Sequence, residues 1–270
     1  MIKILITLVL LFLVFRKIDF ASVRSLIRSA DPAFLLPALI AFTASQWVSS
    51  HRLLTYFHVY GYRLSPVTNH ILYVIGMFYN FFIPGGIGGD AYKVYILNKQ
   101  RDWEVKKLTL AVLNDRLSGL IAIFLLLQLL LLLILPGNLR GWVFLTTLLT
   151  FIVSFWAVRQ VFPAFRPVFF RGLGYSLMVQ GLQLLCIFFI LRSFGEAGNN
   201  LLYFAAFLGS SLLSVLSFSG IGVREWLFMK ASEVFAFSPQ VSVSVALVFS
   251  LLTALVSFAG IFFQFRKMDH

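Results

Sequence analysis

The composition of the chain excludes a water-soluble globule. Of its 270 residues, 60% are hydrophobic and 12% are charged, whereas soluble domains average about 45–50% apolar and about 25% charged residues. The formal net charge is +12. Because the basic residues fall in short loops between apolar runs, they indicate anionic lipid head groups as partners and not nucleic acid.

No pattern of a metal, cofactor or known catalytic site appears in the sequence. The single cysteine, Cys186, excludes a disulfide within the chain, and the four histidines lack the spacing of metal ligands. The sequence shows no nucleotide loop and no order of residues typical of nucleophilic catalysis. We therefore expect neither a metal nor a cofactor, while carboxylates within the membrane leave acid–base chemistry open.

Apolar runs close to the length of a membrane-spanning helix, about 20 residues, occur along the whole chain. The first, residues 1–15, resembles a signal peptide but is followed by no small-residue cleavage site, so we expect a retained short helix. The others lie at about residues 33–49, 117–135, 142–158, 173–191 and 241–263. This pattern predicts an all-α integral membrane protein, a single polytopic helical bundle over residues 1–270 with about 6–8 membrane segments.

Two further apolar segments are interrupted by glycines. Residues 69–84 run into GGIGGD, and residues 201–218 run into SGIGVRE. The interrupting glycines are Gly85, Gly86, Gly88 and Gly89 in the first break and Gly220 and Gly222 in the second. Interrupted apolar segments at corresponding positions are typical of internally repeated transporters. We predict two re-entrant or broken helical hairpins in a repeat whose halves are about residues 1–140 and 141–270.

The first break offers a geometry that suits an anion. Glycine backbone approaches a ligand closely and leaves N–H groups free for a phosphate. A helix that restarts at Ala91 adds its positive dipole there, with Asp90 as N-cap and Lys93 one turn further on. A tight interhelical turn in which Asp90 only caps a helix explains the same residues equally well.

Asp115 and Arg116 enter the longest apolar run. Charges placed there are costly unless they face the protein interior or form pairs, which predicts a buried polar cluster. The alternative is an interfacial pair in which Arg116 extends to the head groups.

Arg224 and Glu225 follow the second break as Asp90 follows the first. Adjacent helical residues point about 100° apart, so these two side chains need partners elsewhere. We expect Arg224 to lie near Asp90 or Asp115 across the interface of the halves, and Glu225 near a cation of the first half, Lys93 or Arg116. A solvated pair of charges in a loop is the alternative.

Arg52 follows Trp47 and His51 at the end of the second apolar run. It is a candidate for binding a lipid head group. Such an arginine more often anchors a helix at the membrane interface, and this is the interpretation that we favour.

Together these motifs resemble the lysylphosphatidylglycerol synthase transmembrane-region family, also called the flippase-like membrane domain family. The residues that carry the resemblance are Asn80, Pro84, Gly85, Gly86, Gly88, Gly89 and Asp90 in NFFIPGGIGGDAYK, Asp115 and Arg116 in LNDRLSGLIAI, and Gly220, Gly222, Arg224 and Glu225 in SFSGIGVREWLF. Lys93 stands where the family has arginine, and Ser219 stands where it has glycine.

The resemblance implies a multi-pass protein of the cell (inner or plasma) membrane with two re-entrant hairpins, which moves lipid head groups between leaflets. Relatives fuse this region to a soluble aminoacyl-transferring domain, and the 270 residues contain none, so lysyl transfer is not expected. The leading hypothesis is a flippase-like protein that binds or translocates a phospholipid or polyprenyl or glycolipid with an anionic or zwitterionic head group. The alternatives are a membrane-embedded enzyme or enzyme subunit that modifies a lipid head group, and a scaffold for a separate synthase or transferase.

Overall fold

A computed structural model of the chain describes residue 12 and residues 20–82, 88–198, 200–214, 222–235 and 237–263. Within these ranges the chain forms helices and no strands. The helices are α1 Phe20–Arg28, α2 Pro32–Val59, α3 Pro66–Phe82, α4 Gly88–Arg101, α5 Val105–Ile134, α6 Gly137–Val161, α7 Phe169–Ser193, α8 Asn200–Leu213, α9 Val223–Phe235, α10 Pro239–Phe258 and α11 Gly260–Phe263, with a 3₁₀ helix at Pro163–Val168.

The prediction of an all-α polytopic membrane protein is confirmed. Five segments of the described chain are long and apolar enough to cross a membrane: α2, α5, α6, the 3₁₀ helix with α7, and α10 with α11. They contain the predicted runs from the second onward, except that residue 135 lies just beyond the end of α5. The predicted first helix, residues 1–15, lies outside the described residues except for Phe12.

Local sequence sets where two of the long helices begin. Asp31 caps α2, since its carboxylate accepts the N–H of Ala33 at 2.9 Å. Ser238 caps α10 by accepting the N–H of Val241 at 3.4 Å. Each cap is followed by a proline, which fits the first turn because its missing N–H would find no partner there.

Two pairs of helices are too short for a standard span. α3 and α4 have 17 and 14 residues and pack against each other, as do α8 and α9 with 14 and 13 residues. The glycine breaks separate the members of each pair. Residues 83–87 and 215–221, and with them the candidate residues Gly85, Gly86 and Gly220, lie outside the described residues.

Glycines bring α3 and α4 into close contact. A Cβ atom on Gly89 would overlap the carbonyl oxygen of Gly76, and small residues at such crossings let helix backbones approach each other. The side-chain oxygen of Asn80 also accepts the N–H of Gly89 at 2.9 Å. The α3–α4 hairpin therefore depends on glycine at position 89.

The long helices join the two halves of the chain. The most extensive packing in the described structure is between α2 and α7, and Gly172 permits it because a Cβ atom there would overlap the hydroxyl of Tyr56. α5 packs against α2, α7 and α8. By contrast, α6 contains no buried residue and packs mainly on α5, so most of its surface is left to face lipid.

Candidate functional site

A cavity of about 470 Å³, lined by both polar and apolar side chains, lies between helices of both halves. Three arginines line it, Arg52 from α2, Arg116 from α5 and Arg224 from α9. We call it the arginine cavity. Further polar lining side chains are Gln46, Ser49, Tyr73, Gln180, Gln183, Ser211, Ser214 and Thr253. None of the described lining residues is acidic.

Arg52 forms a buried ion pair between α2 and α5. Its Nε donates to the Asp115 carboxylate at 2.8 Å, and its Nη1 donates to the Ser176 hydroxyl at 2.9 Å. Arg52 and Asp115 are each 6% exposed. α5 passes close to the guanidinium at Gly119, where a Cβ atom would lie 3.3 Å from Nη1. The interpretation of Arg52 as an interfacial anchor is therefore wrong, because the charge is enclosed and paired.

Asp90 connects the first hairpin to α5. Its carboxylate accepts hydrogen bonds from Arg116 and from Lys93, the latter at 3.2 Å. Lys93 is 4% exposed, and its ammonium lies 4.5 Å from the centre of the Tyr73 ring. The prediction of Asp90 as an N-cap is wrong, because residues 88–90 are already helical and Asp90 lies within the first turn of α4.

Arg224 and Glu225 meet at Ser250 of α10. The Ser250 hydroxyl donates to Glu225 at 3.0 Å and accepts from Arg224 Nη1 at 3.3 Å. Glu225 also accepts the N–H of Gly222 at 2.7 Å, where φ is +84°, a conformation that favours glycine. The Arg224 guanidinium lies 4.7 Å from the centre of the Phe249 ring. Arg224 is 8% and Glu225 1% exposed, so this is a buried cluster and not a solvated loop pair.

The pairing of charges expected between the halves differs from the pairing observed. Asp90 and Asp115 pair with cations of the first half, while Glu225 is held within the second half. Arg116 and Arg224 nevertheless line the same cavity. Arginines of both halves therefore line this cavity, and among the described residues no ion pair joins the two halves there.

Several uncharged polar residues of the cavity were not predicted from the sequence. Six of them form three pairs with members three residues apart: Gln46 and Ser49 on α2, Gln180 and Gln183 on α7, and Ser211 and Ser214 at the end of α8, where Ser214 follows the last residue of the α-helix. Residues at this spacing share a helix face. Polar pairs three apart within apolar runs were the signal that could have identified them.

A second, mainly apolar space of about 570 Å³ lies between α4 and α5. We call it the α4–α5 groove. Asp90 and Arg116 lie at one end, and the other lining residues are Ala91, Val94, Tyr95, Asn98, Val105, Thr109, Val112 and Leu113. Arg116 and Leu113 also line the arginine cavity, so the two spaces adjoin at Arg116. The side chain of Arg116 is 40% exposed.

Comparison with known proteins gives one family. The family model described as lysylphosphatidylglycerol synthase TM region matches residues 1–171. The matched part includes Arg52, the first break, Asp115 and Arg116, and it ends near the start of α7, before Arg224 and Glu225. No curated protein matches the chain.

Proposed function

Since the chain belongs to the lysylphosphatidylglycerol synthase TM region family, we propose that it translocates a membrane lipid between leaflets. The lipid head group occupies the arginine cavity while the tails stay in the bilayer. The observation that carries this proposal is the cavity itself, which places three arginines among helices long enough to cross a membrane. Charged side chains at membrane depth are costly and mark ligand or ion pathways.

The contacts of the arginines support a site for an anion. A guanidinium has five N–H donors. The described partners of Arg52 use its Nε and Nη1, and the hydrogen bond recorded for Arg224 uses its Nη1. Arg224 Nε is buried without a partner among the described residues. Donors thus remain that a phosphate could engage by charge-assisted hydrogen bonds.

The α4–α5 groove supports a path for the lipid tails. Its lining is largely apolar, and it adjoins the arginine cavity at Arg116. An amphiphile whose head group contacts Arg116 can therefore keep hydrocarbon in the groove. In this arrangement the tails do not have to pass Arg52 and Arg224.

The two short-helix hairpins support a repeated architecture. We propose that α3–α4 and α8–α9 re-enter the membrane as the corresponding hairpins of two repeats within one domain, residues 1–270, in the cell membrane. In each hairpin the second helix begins with buried or nearly buried charges, Asp90 and Lys93 in α4 and Arg224 and Glu225 in α9. Backbone broken at membrane depth is tolerated where it lines a cavity.

The ion pairs favour transport over catalysis. Asp90 and Asp115 are the carboxylates that a membrane-embedded enzyme would use, and both are bound to cations. Neither is among the residues that line the arginine cavity. A general acid or base must lie within hydrogen-bond distance of the group that it protonates or deprotonates. Neither carboxylate meets this condition for a head group in the arginine cavity.

The test is reconstitution of the purified protein into vesicles that contain lipids with a fluorophore on one tail. A membrane-impermeant quencher reports exchange between leaflets, and mass spectrometry of the recovered lipids reports any chemical change. We expect protein-dependent exchange without a new product. Arg116→Gln should slow exchange by about tenfold or more, as expected for loss of a charged hydrogen bond, whereas Arg24→Gln, which removes an exposed arginine of α1, should not. Absence of exchange across anionic, zwitterionic and polyprenyl lipids would overturn the proposal.

A further inference from the structure

We propose that the arginine cavity selects an anionic head group and discriminates against head groups that carry an ammonium, aminoacylated ones included. This inference rests on the proposed function and names its substrate class. Three observations carry it: the charge of the lining, the occupation of the aromatic rings, and the unsatisfied polar atoms.

The charged groups of the site leave no carboxylate for a cationic ligand. Asp115 is held by Arg52, and Asp90 is held by Lys93 and Arg116. Glu225 receives the Ser250 hydroxyl and a backbone N–H. Four cations stand against three carboxylates, so the clusters keep a positive charge after every pair is formed.

The aromatic rings of the lining are also engaged. An ammonium without a carboxylate can bind over an aromatic face. The face of Tyr73 is used by the ammonium of Lys93, at 4.5 Å, and that of Phe249 by the guanidinium of Arg224, at 4.7 Å. Phe42 packs edge-to-face against Phe249. An ammonium group in this cavity would therefore meet like charges where it needs a counter-charge.

The remaining polar groups suit a phosphate that carries hydroxyls. Gln180 is 4% exposed, and its Oε1 makes no hydrogen bond to a described residue. Together with Gln183 and Ser211 it offers neutral donors and acceptors beside the arginines. Glycerol or sugar hydroxyls are the head-group components that such amides and hydroxyls bind. The expected class is an anionic phospholipid or lipid phosphate, with its hydroxyls toward α7 and α8.

Binding and translocation are measured separately on the full chain. The probes are phosphatidylglycerol, phosphatidic acid, phosphatidylethanolamine, phosphatidylcholine and lysylphosphatidylglycerol with identical tails, one of them fluorescent. Competition in detergent micelles gives relative affinity, and the leaflet assay in vesicles gives relative rate. We expect phosphatidylglycerol to bind about tenfold or more tightly than each ammonium-bearing lipid, because like charges placed together are strongly unfavourable. A weaker affinity for phosphatidic acid than for phosphatidylglycerol would show that the hydroxyls of the glycerol head group contribute to binding.

The outcomes separate this inference from the proposed function. Selective binding of phosphatidylglycerol without leaflet exchange would support the inference and overturn transport. Exchange of all the lipids with equal affinity would support transport and overturn the inference. Preference for lysylphosphatidylglycerol, or no selective binding at all, would also overturn the inference.

Matched variants test whether the cavity is the source of selectivity. Gln183→Glu places a carboxylate in the cavity with little change of shape, and Gln100→Glu adds the same charge at an exposed position of α4. We expect Gln183→Glu to reduce the preference for phosphatidylglycerol about tenfold, and Gln100→Glu to leave it unchanged. Equal effects of the two variants would place the selectivity outside the cavity and overturn the assignment.

Discussion

Asp115 and Arg116 are neighbours in the chain but lie in different environments. Asp115 faces the bundle interior and pairs with Arg52, whereas Arg116 is partly exposed and lines both the arginine cavity and the α4–α5 groove. The sequence suggested one buried cluster that contains both. Because adjacent residues on a helix point about 100° apart, one of them can serve stability while the other serves a ligand.

Replacement of Asp115 should therefore act on stability. Asp115→Asn leaves the guanidinium of Arg52 as a buried charge without its counter-charge, and breaking a buried pair in this way costs about 3–5 kcal/mol. We expect a loss of that size in the free energy of unfolding, measured in detergent micelles with a denaturant. Arg52→Met combined with Asp115→Leu should lose less than the sum of the two single changes. An Asp115→Asn protein of normal stability that fails to bind lipid would instead place Asp115 in the ligand site.

The environments of some residues were predicted correctly from the sequence, and that of Arg52 was not. The glycine-rich motifs identified Asp90, Lys93, Arg224 and Glu225, and the structure buries all four or nearly so. Arg52 was assigned to the interface because an arginine at the end of an apolar run is usually found there. Its partner lies 63 residues away in the chain, and single-sequence patterns carry no information on such pairs.

The apolar centres of the helices were predicted better than their ends. The longest apolar run was predicted at residues 117–135 and the start of its helix at about Leu108, and the run belongs to α5, which begins at Val105. The first residues of α5 include Lys106 and Lys107, which lower the local hydropathy without disfavouring a helix. Hydropathy thus located the apolar part of the helix. The extent of its polar first part depends on tertiary contacts, which hydropathy does not report.

The α3–α4 crossing should tolerate no side chain at Gly89. Gly89→Ala would force its methyl group into the Gly76 carbonyl, and we expect a loss of about 3 kcal/mol, the upper end for overpacking. Gly181→Ala is the control, because a Cβ atom at that position of α7 meets no atom within 4 Å. Thermal unfolding in micelles compares the two variants. Equal stability of both would show that the two helices can separate at the crossing at little cost.

Filling the α4–α5 groove should slow transport and spare the fold. Thr109 is exposed and lines the groove, so Thr109→Trp places a large ring where we expect a lipid tail. Leu129→Trp makes a comparable change at an exposed position of the same helix that lines neither the cavity nor the groove. We expect leaflet exchange to fall about tenfold in the first variant only, with normal thermal unfolding in both. Unchanged exchange in Thr109→Trp would remove the groove from the path.

At the scale of the whole molecule, the site is incomplete in either half. Arg52 and Arg116 come from the first half, and Gln180, Ser211 and Arg224 come from the second. The family match covers residues 1–171 and so omits part of the cavity wall. The composition predicted the membrane and the paired breaks predicted two related halves. The common cavity followed only from the packing of α2 on α7 and of α5 on α8.

Two fragments divided at Pro136 should reassemble. The α2–α7 and α5–α8 contacts both cross this division, and membrane helices associate through packing after insertion. We expect residues 1–136 and 137–270 to co-purify when expressed together and to restore selective lipid binding, which neither fragment shows alone. Affinity purification through a tag on one fragment measures the association. Lipid binding by one fragment alone would contradict a site shared between the halves.

The arginine cavity places charge deep within the helices that can cross the membrane. Arg224 bonds to Ser250, which lies near the middle of the span Pro239–Phe263, and Arg116 lies near the middle of the span Val105–Ile134. An anionic head group that passes these residues carries its charge through the transmembrane electric field. The full field is worth about 2.3 kcal/mol per elementary charge per 100 mV. Lipid movement past these residues would then be electrogenic, and its rate would follow the membrane voltage.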